Sequence, residues 1–289
     1  MNEIISSVMS TMVPTSSMVG MWVYIGAILV TIVAVFWIFG HRVEMNVSTM
    51  VLGLVTYFVF DAVLLNMFFD NLVVGTFSAG LYDTVTSNPT AFVFYYSFTR
   101  GIFYLLGMYV CSRMSMRMDT CGGGCAMGIG WIAGFGIMNQ SQGAWTVLQT
   151  WRSALAVNKN GGSLGYLELM RSEGAAEENI AEAAVAVDKL VKTDISYYLV
   201  STLETLLLLG TLFAMAVIIH LAVTRRAPKT YLIVAIVLFV VAMVPTSLYL
   251  SAILTSRVVY DILLALVCGG CIALAAVLGK KYMNRPMEW

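Results

Sequence analysis

Two stretches decide the fold: AFVFYYSFTRGIFYLLGMYV at residues 91–110 and CAMGIGWIAGFGIMNQSQG at residues 125–143. Each is an apolar run of the length that crosses a bilayer as a helix, and a short loop joins them. The first carries a cation in its interior, Arg100. The second ends in the amide-rich run Asn139, Gln140, Ser141, Gln142. Polar groups inside apolar spans are costly and face a bundle interior or a cavity rather than lipid. The polar groups of these two consecutive spans are therefore expected to face a bundle interior or a cavity.

The rest of the chain has the same character. Of 289 residues, 60% are hydrophobic and 11% charged, against about 25% charged in a soluble domain. The formal net charge is zero, which removes the basic face that nucleic-acid binding requires. Apolar runs at residues 21–39, 50–72, 91–110, 125–143, 197–223, 230–254 and 258–279 predict an all-α polytopic transmembrane helix bundle of about seven spans. The organisation expected is spans one to four in residues 1–144, an extracytoplasmic loop with an amphipathic helix in 145–196, and spans five to seven with a cytoplasmic tail in 197–289. Only Glu3 precedes the first span as a charge. A secretory signal needs a basic region there, so the first span is expected to remain in the mature protein.

Within the insert, Ile180, Ala184, Val187, Leu190 and Val191 repeat at helical spacing. Ser172 is the predicted N-cap of that helix, with Glu173 in its first turn. The short loops on one side of the membrane hold nine basic residues: Arg42, Arg113, Arg117, Arg225, Arg226, Lys229, Lys280, Lys281 and Arg285. Those on the other side hold Arg257. The positive-inside rule then puts the N-terminus outside and the C-terminus in the cytoplasm of a multi-pass cell-membrane protein. In this topology Cys111, Cys121, Cys125, Cys268 and Cys271 all lie in spans or the cytoplasmic loop, and they read as free thiols. The glycines between Cys121 and Cys125 read as a flexible turn, since no nearby His completes a zinc set.

Several framework stretches resemble the YhfC-type intramembrane metalloproteases, within the wider group of CAAX-protease-like and Aph-like membrane proteins. Residues 51–60, VLGLVTYFVF, are similar to that family's second span. Where its third span has Gly-Ile-Phe followed by Glu-Glu-x-Gly-Arg, this chain has Gly101-Ile102-Phe103 followed by Tyr104-Leu105-Leu106-Gly107-Met108. The family's His in span four falls on Asn139 and its Glu on Gly143. Glu204 matches the family's Glu in span five, while the following Arg falls on Thr205 and the His on Leu212. The His and Asp of span six fall on Phe239 and Met243. The resemblance runs from about Met21 to Gly279, and it implies the bundle fold with most of the catalytic side chains replaced.

Those replacements bear on chemistry. Metal-dependent hydrolysis needs two or three His or carboxylate ligands and a base for the water. The two His are His41, in a loop with Glu44 three residues on, and His220, at a helix end with no carboxylate or second His at helical spacing. Ser141 has no His or Lys partner in its span, and no phosphate-binding loop is present. No catalytic residue, metal ligand or cofactor is assigned. The intramembrane polar residues are Asp61, Arg100, Asn139, Gln140, Gln142 and Glu204, with Asp70 and Asp261 near span ends. Equal depths from the outer surface predict an Arg100–Glu204 ion pair. The reading is a catalytically degenerate relative of the proteases, a binding or scaffold subunit whose partners are the lipid bilayer and other membrane subunits. A transport component with a polar path, and an active protease with altered residues, are the alternatives.

The topology has a direct test. A cysteine placed at Lys159 in the insert is expected to react with a membrane-impermeant thiol reagent in intact cells, and one in the Arg225–Arg226 loop only after permeabilisation. The reverse pattern would mean that the span count is off by one.

Overall fold

The computed structural model describes residues 11–116, 122–140 and 142–283, and these form helices joined by short turns, with no strand. Arg117, Asp119, Cys121, Ser141 and Arg285 lie outside the described residues. In chain order the helices are α1 (Thr15–Gly40), α2 (Val47–Tyr57), a wider-wound π segment (Phe58–Phe77) continuous with α2, α3 (Ala79–Ser87), α4 (Pro89–Ser115) and α5 (Gly123–Met138). Then come α6 (Ala144–Lys159), α7 (Ser163–Ser172), α8 (Glu177–Lys192), α9 (Ile195–Val223), α10 (Thr230–Leu250) and α11 (Arg257–Tyr282). Five stretches, Thr15–Gly40, Val47–Thr76, Ile195–Val223, Thr230–Leu250 and Arg257–Tyr282, are long and apolar enough to cross a membrane. With α4 and the shorter apolar α5, the all-α bundle of about seven spans stands.

The chain divides into two compact units. One comprises Met1–Leu29 with Gln140–Leu203, the other Val30–Asn139 with Glu204–Trp289. In the first unit, Val13, Met21, Ala154, Val157, Val187, Leu190 and Tyr198 form one core, and Leu167, Ile180 and Ala184 another. The helical stripe read from the insert is therefore the buried face of α8. The cap was misplaced: α8 begins at Glu177 after Ala176, while Ser172 closes α7, its hydroxyl donating to the Leu169 carbonyl. The turn at Gly174, with φ of +82°, separates α7, which the sequence reading did not assign, from α8, because a left-handed residue ends a helix. Asn158 fastens the start of the chain to this unit. Its side chain accepts from Val13 N at 2.7 Å and donates to Val13 O at 3.0 Å.

In the second unit, α2 packs on α5, α4 on α10, and α10 on α11, while α9 is the most enclosed of the five long apolar helices. Glycine sets the α2–α5 distance. A Cβ at Gly130 would strike the Met50 carbonyl oxygen and come within 2.7 Å of Leu54 N, and one at Gly53 would come within 2.6 Å of Met127 O. Close backbone approach of this kind is how helices associate in lipid, where no hydrophobic drive exists between them. α4 starts at Pro89, with Asn88 accepting from Thr90 N and Ala91 N, so its first-turn donors are capped. Span four ends five residues earlier than the apolar run, at Met138, and leaves Asn139 outside the helix. Cys111, Cys125, Cys268 and Cys271 are buried free thiols.

Gly130→Ala is expected to destabilise the bundle by about 1–3 kcal/mol, the usual cost of overpacking. Gly269→Ala meets nothing within 4 Å and should stay within about 1 kcal/mol of the parent. Thermal unfolding in detergent compares the two, and equal effects would mean that α2 and α5 are not in backbone contact.

Candidate functional site: a caged carboxylate

The polar core of the second unit is built on Asp61, which is 1% exposed. Four residues earlier, on the same helix face, Tyr57 donates its hydroxyl to Asp61 Oδ2 at 2.8 Å. From α4, Tyr104 donates to Asp61 Oδ1 at 2.8 Å, and Arg100 Nη1 lies 3.6 Å from the same oxygen. Tyr96, Arg100 and Tyr104 follow one another at i, i+4 and i+8, so a single face of α4 supplies all three. The Arg100 guanidinium lies over the Tyr96 ring, 4.6 Å from its centroid. Asn139, just past the end of α5, donates to the Tyr57 hydroxyl at 3.4 Å.

The wide winding after Tyr57 adds another partner. Asp61 and Asn66 are five residues apart. On an α-helix that spacing puts side chains about 140° from each other, but with i→i+5 bonds they lie on one side. Asn66 Nδ2 donates to the Asp61 carbonyl at 2.7 Å, and Asn66 Oδ1 accepts from Arg100 Nη2 at 3.3 Å. Further along the segment, Asp70 accepts a hydrogen bond from Tyr95. Aromatic rings wall the cage: Trp131 stands 5.4 Å from Tyr57 and 5.7 Å from Tyr104 between centroids. Glycines make room for these rings, since a Cβ at Gly107 would lie 2.7 Å from Trp131 Cζ2 and one at Gly134 would collide with the Tyr57 ring.

The predicted Arg100–Glu204 pair does not form. Arg100 turns to Asp61 and Asn66, and Glu204 is held by Arg257, with Nε to Oε1 at 2.7 Å and Nη2 to Oε2 at 3.0 Å. Depth alone does not choose a partner. Arg257 is the first residue of α11, and its fork matches a carboxylate two-pronged. Gln140 and Gln142 belong to the first unit, where their backbone carbonyls accept from Thr146 and Tyr24. Of the six intramembrane polar residues, the structure thus brings Asp61, Arg100 and Asn139 together. Sequence reasoning missed Tyr57, Asn66, Tyr96 and Arg257. The i, i+4 placement of Tyr57 before Asp61, and of Tyr96 and Tyr104 around Arg100, was the available signal.

The model of the YhfC intramembrane metalloproteases matches residues 26–264. The chain belongs to that family. No curated protein and no solved structure matches it. Two of the positions at which the resemblance puts departures from the YhfC pattern, Tyr104 and Asn139, stand in the cage. Phe239 and Met243 are buried apolar residues of α10, Leu105 is half-buried on α4, and Gly143 is buried in the first unit. The donor set does not fit the metal that the family name implies. Asp61 lies beside Arg100, both of its oxygens accept tyrosine hydroxyls, and the described residues contain no group of three or more His, Cys, Asp or Glu that could hold an ion.

Removing one member of a buried ion pair strands the other and costs about 3–5 kcal/mol, more than removing both. Asp61→Leu and Arg100→Leu are therefore expected to be strongly non-additive in thermal stability. Arg100→Leu and Glu204→Leu should add. Coupling between Arg100 and Glu204, with none between Arg100 and Asp61, would overturn the cage.

Proposed function

We propose that this protein is a non-catalytic member of the YhfC family that serves as a binding or scaffold subunit of a membrane assembly. The observation that carries the reading is the saturation of Asp61. Two tyrosine hydroxyls and a guanidinium surround it, so this deeply buried carboxylate acts as an acceptor within the protein. Tyr104 and Asn139, which the resemblance sets opposite the family's Glu and His, serve this internal network as donors. Hydrolysis of a peptide bond needs a polarising cation and a base able to take a proton from water, and a carboxylate held by Arg100 and two hydroxyls is poorly placed for either. A fully satisfied polar network does rigidify a core, which suits a framework that presents surfaces to partners.

The extracytoplasmic helices α6–α8 are the surface assigned to partner proteins, with the N-terminus outside and the C-terminus in the cytoplasm. Transport is the second reading. It is favoured by the number of ionisable side chains retained at membrane depth, Asp61, Asp70, Arg100 and Glu204, since such residues mark ion and solute paths.

The purified full-length protein is expected to hold well under one equivalent of zinc by elemental analysis and to leave transmembrane peptides uncleaved. Extraction from its native membrane should bring a stoichiometric membrane partner with it. One equivalent of zinc lost together with peptidase activity on chelation would overturn the reading, and solute flux by the protein alone in liposomes would favour transport.

A further inference from the structure

A cleft of about 130 Å³ lies in the second unit where α1 ends and α2 begins. Its walls include Phe36 of α1, Met45 of the following turn, Val47 and Met50 of α2, and Ala126 of α5. Gly40 lines it too, and a Cβ there would come within 3.3 Å of the Met45 methyl group, so the glycine leaves this space open. The one polar residue in the lining is Asn46, whose side-chain oxygen accepts from Ser48 N. An apolar cavity of about 150 Å³ stays dry and takes a small hydrocarbon.

The cleft opens on a surface that meets lipid. Phe36 is 44% exposed and Val47 61%, and both belong to stretches long and apolar enough to cross a membrane. Of the five such stretches, α1 is the least enclosed by the protein. Next to Phe36, the exposed Trp37 packs on His41, whose Nδ1 donates to the Trp37 carbonyl at 2.8 Å. Tryptophan collects at the level of the lipid headgroups, which suits a turn where the chain leaves one span and enters the next. A void that faces hydrocarbon forfeits its dispersion contacts, and the molecule at hand to restore them is an acyl chain.

The charge beside the cleft selects the headgroup. Arg42 stands two residues past Gly40 and is exposed, and its side chain makes no hydrogen bond or ion pair among the described residues. Glu44, the carboxylate of the same turn, is already engaged. The first turn of α2 starts in the lining itself, at Val47, and adds a partial positive charge. The topology expected from the basic residues puts this turn on the cytoplasmic side, against the leaflet that carries anionic lipid.

We propose that this cleft binds one anionic phospholipid, with an acyl chain between Phe36, Val47 and Met50 and the phosphate on Arg42. A guanidinium matches phosphate oxygens two-pronged. The Asp61 cage supplies no part of the site, so the proposal does not depend on the absence of protease activity.

The test follows thermal unfolding of the full-length protein in neutral detergent as phosphatidylglycerol, phosphatidylcholine of the same chains, or glycerol phosphate is added. The parent's midpoint is expected to rise saturably with phosphatidylglycerol, less with phosphatidylcholine, and not with glycerol phosphate, which has no chain. Arg42→Gln should weaken the apparent affinity for phosphatidylglycerol about fivefold, the effect of one basic side chain at an anionic surface, and leave phosphatidylcholine unaffected. Val47→Trp, which fills the cleft from an exposed position, should remove the response to both lipids. Should it fail to fold, Gly40→Leu fills the cleft from the opposite wall. Arg225→Gln, in another exposed basic turn, should behave as the parent. An equal loss in Arg225→Gln and Arg42→Gln would mean general attraction to an anionic surface, and an undiminished response with the cleft filled would mean that no chain enters it. A midpoint that rises with protein concentration, together with a dimer by light scattering, would make a second copy the occupant. Any of these three results would overturn the proposal.

Discussion

The second unit depends on the placement of one buried charge. A carboxylate removed from water must recover its lost hydration from fixed partners, and Asp61 does so from two tyrosine hydroxyls and Arg100. Those partners come from α2 and α4, and Asn139 and Trp131 extend the network to α5. Satisfying one side chain therefore fixes the mutual register of three helices. The glycines of α5 follow from the same demand, because Tyr57 reaches its hydrogen bond only if its ring can lie against Gly134.

The wide winding from Phe58 to Phe77 is also explained at this point. Such turns are uncommon and occur where function or packing imposes them. Here the winding brings Asn66 onto the side of Asp61, where its side-chain oxygen takes a hydrogen bond from Arg100. Arg100 is thus held by a carboxylate, an amide and an aromatic face together. That combination leaves Glu204 to a different cation and separates the intramembrane charges into two groups with different characters. In the first, both side-chain oxygens of Asp61 accept tyrosine hydroxyls; in the second, Glu204 takes the two-pronged fork of Arg257.

Family membership rests on the framework of this chain. The framework that matches the YhfC proteases spans residues 26–264, and small residues such as Gly101 and Gly107 still set close helix contacts. Yet the side chains around Asp61 form a donor network rather than a ligand set. Polar side chains that satisfy one another are tolerated in such a core, since the cost of a buried polar group lies in leaving it unpaired.

The sequence by itself determined the membrane class, the number of spans and the buried stripe of α8. These depend on hydrophobicity and on local periodicity, which are additive along the chain. It also picked out Asp61, Arg100 and Asn139, because polar groups are conspicuous in apolar spans. Tertiary structure alone decided which charges pair. Arg100 and Glu204 were matched by depth, but azimuth around each helix and the winding of the intervening segment are set by packing, and these turn Arg100 to Asp61 and Glu204 to Arg257. The end of α5 at Met138 and the break at Gly174 were hidden for a related reason. An apolar run marks what lipid or a core will accept, while the end of a helix depends on which partners its last backbone groups find.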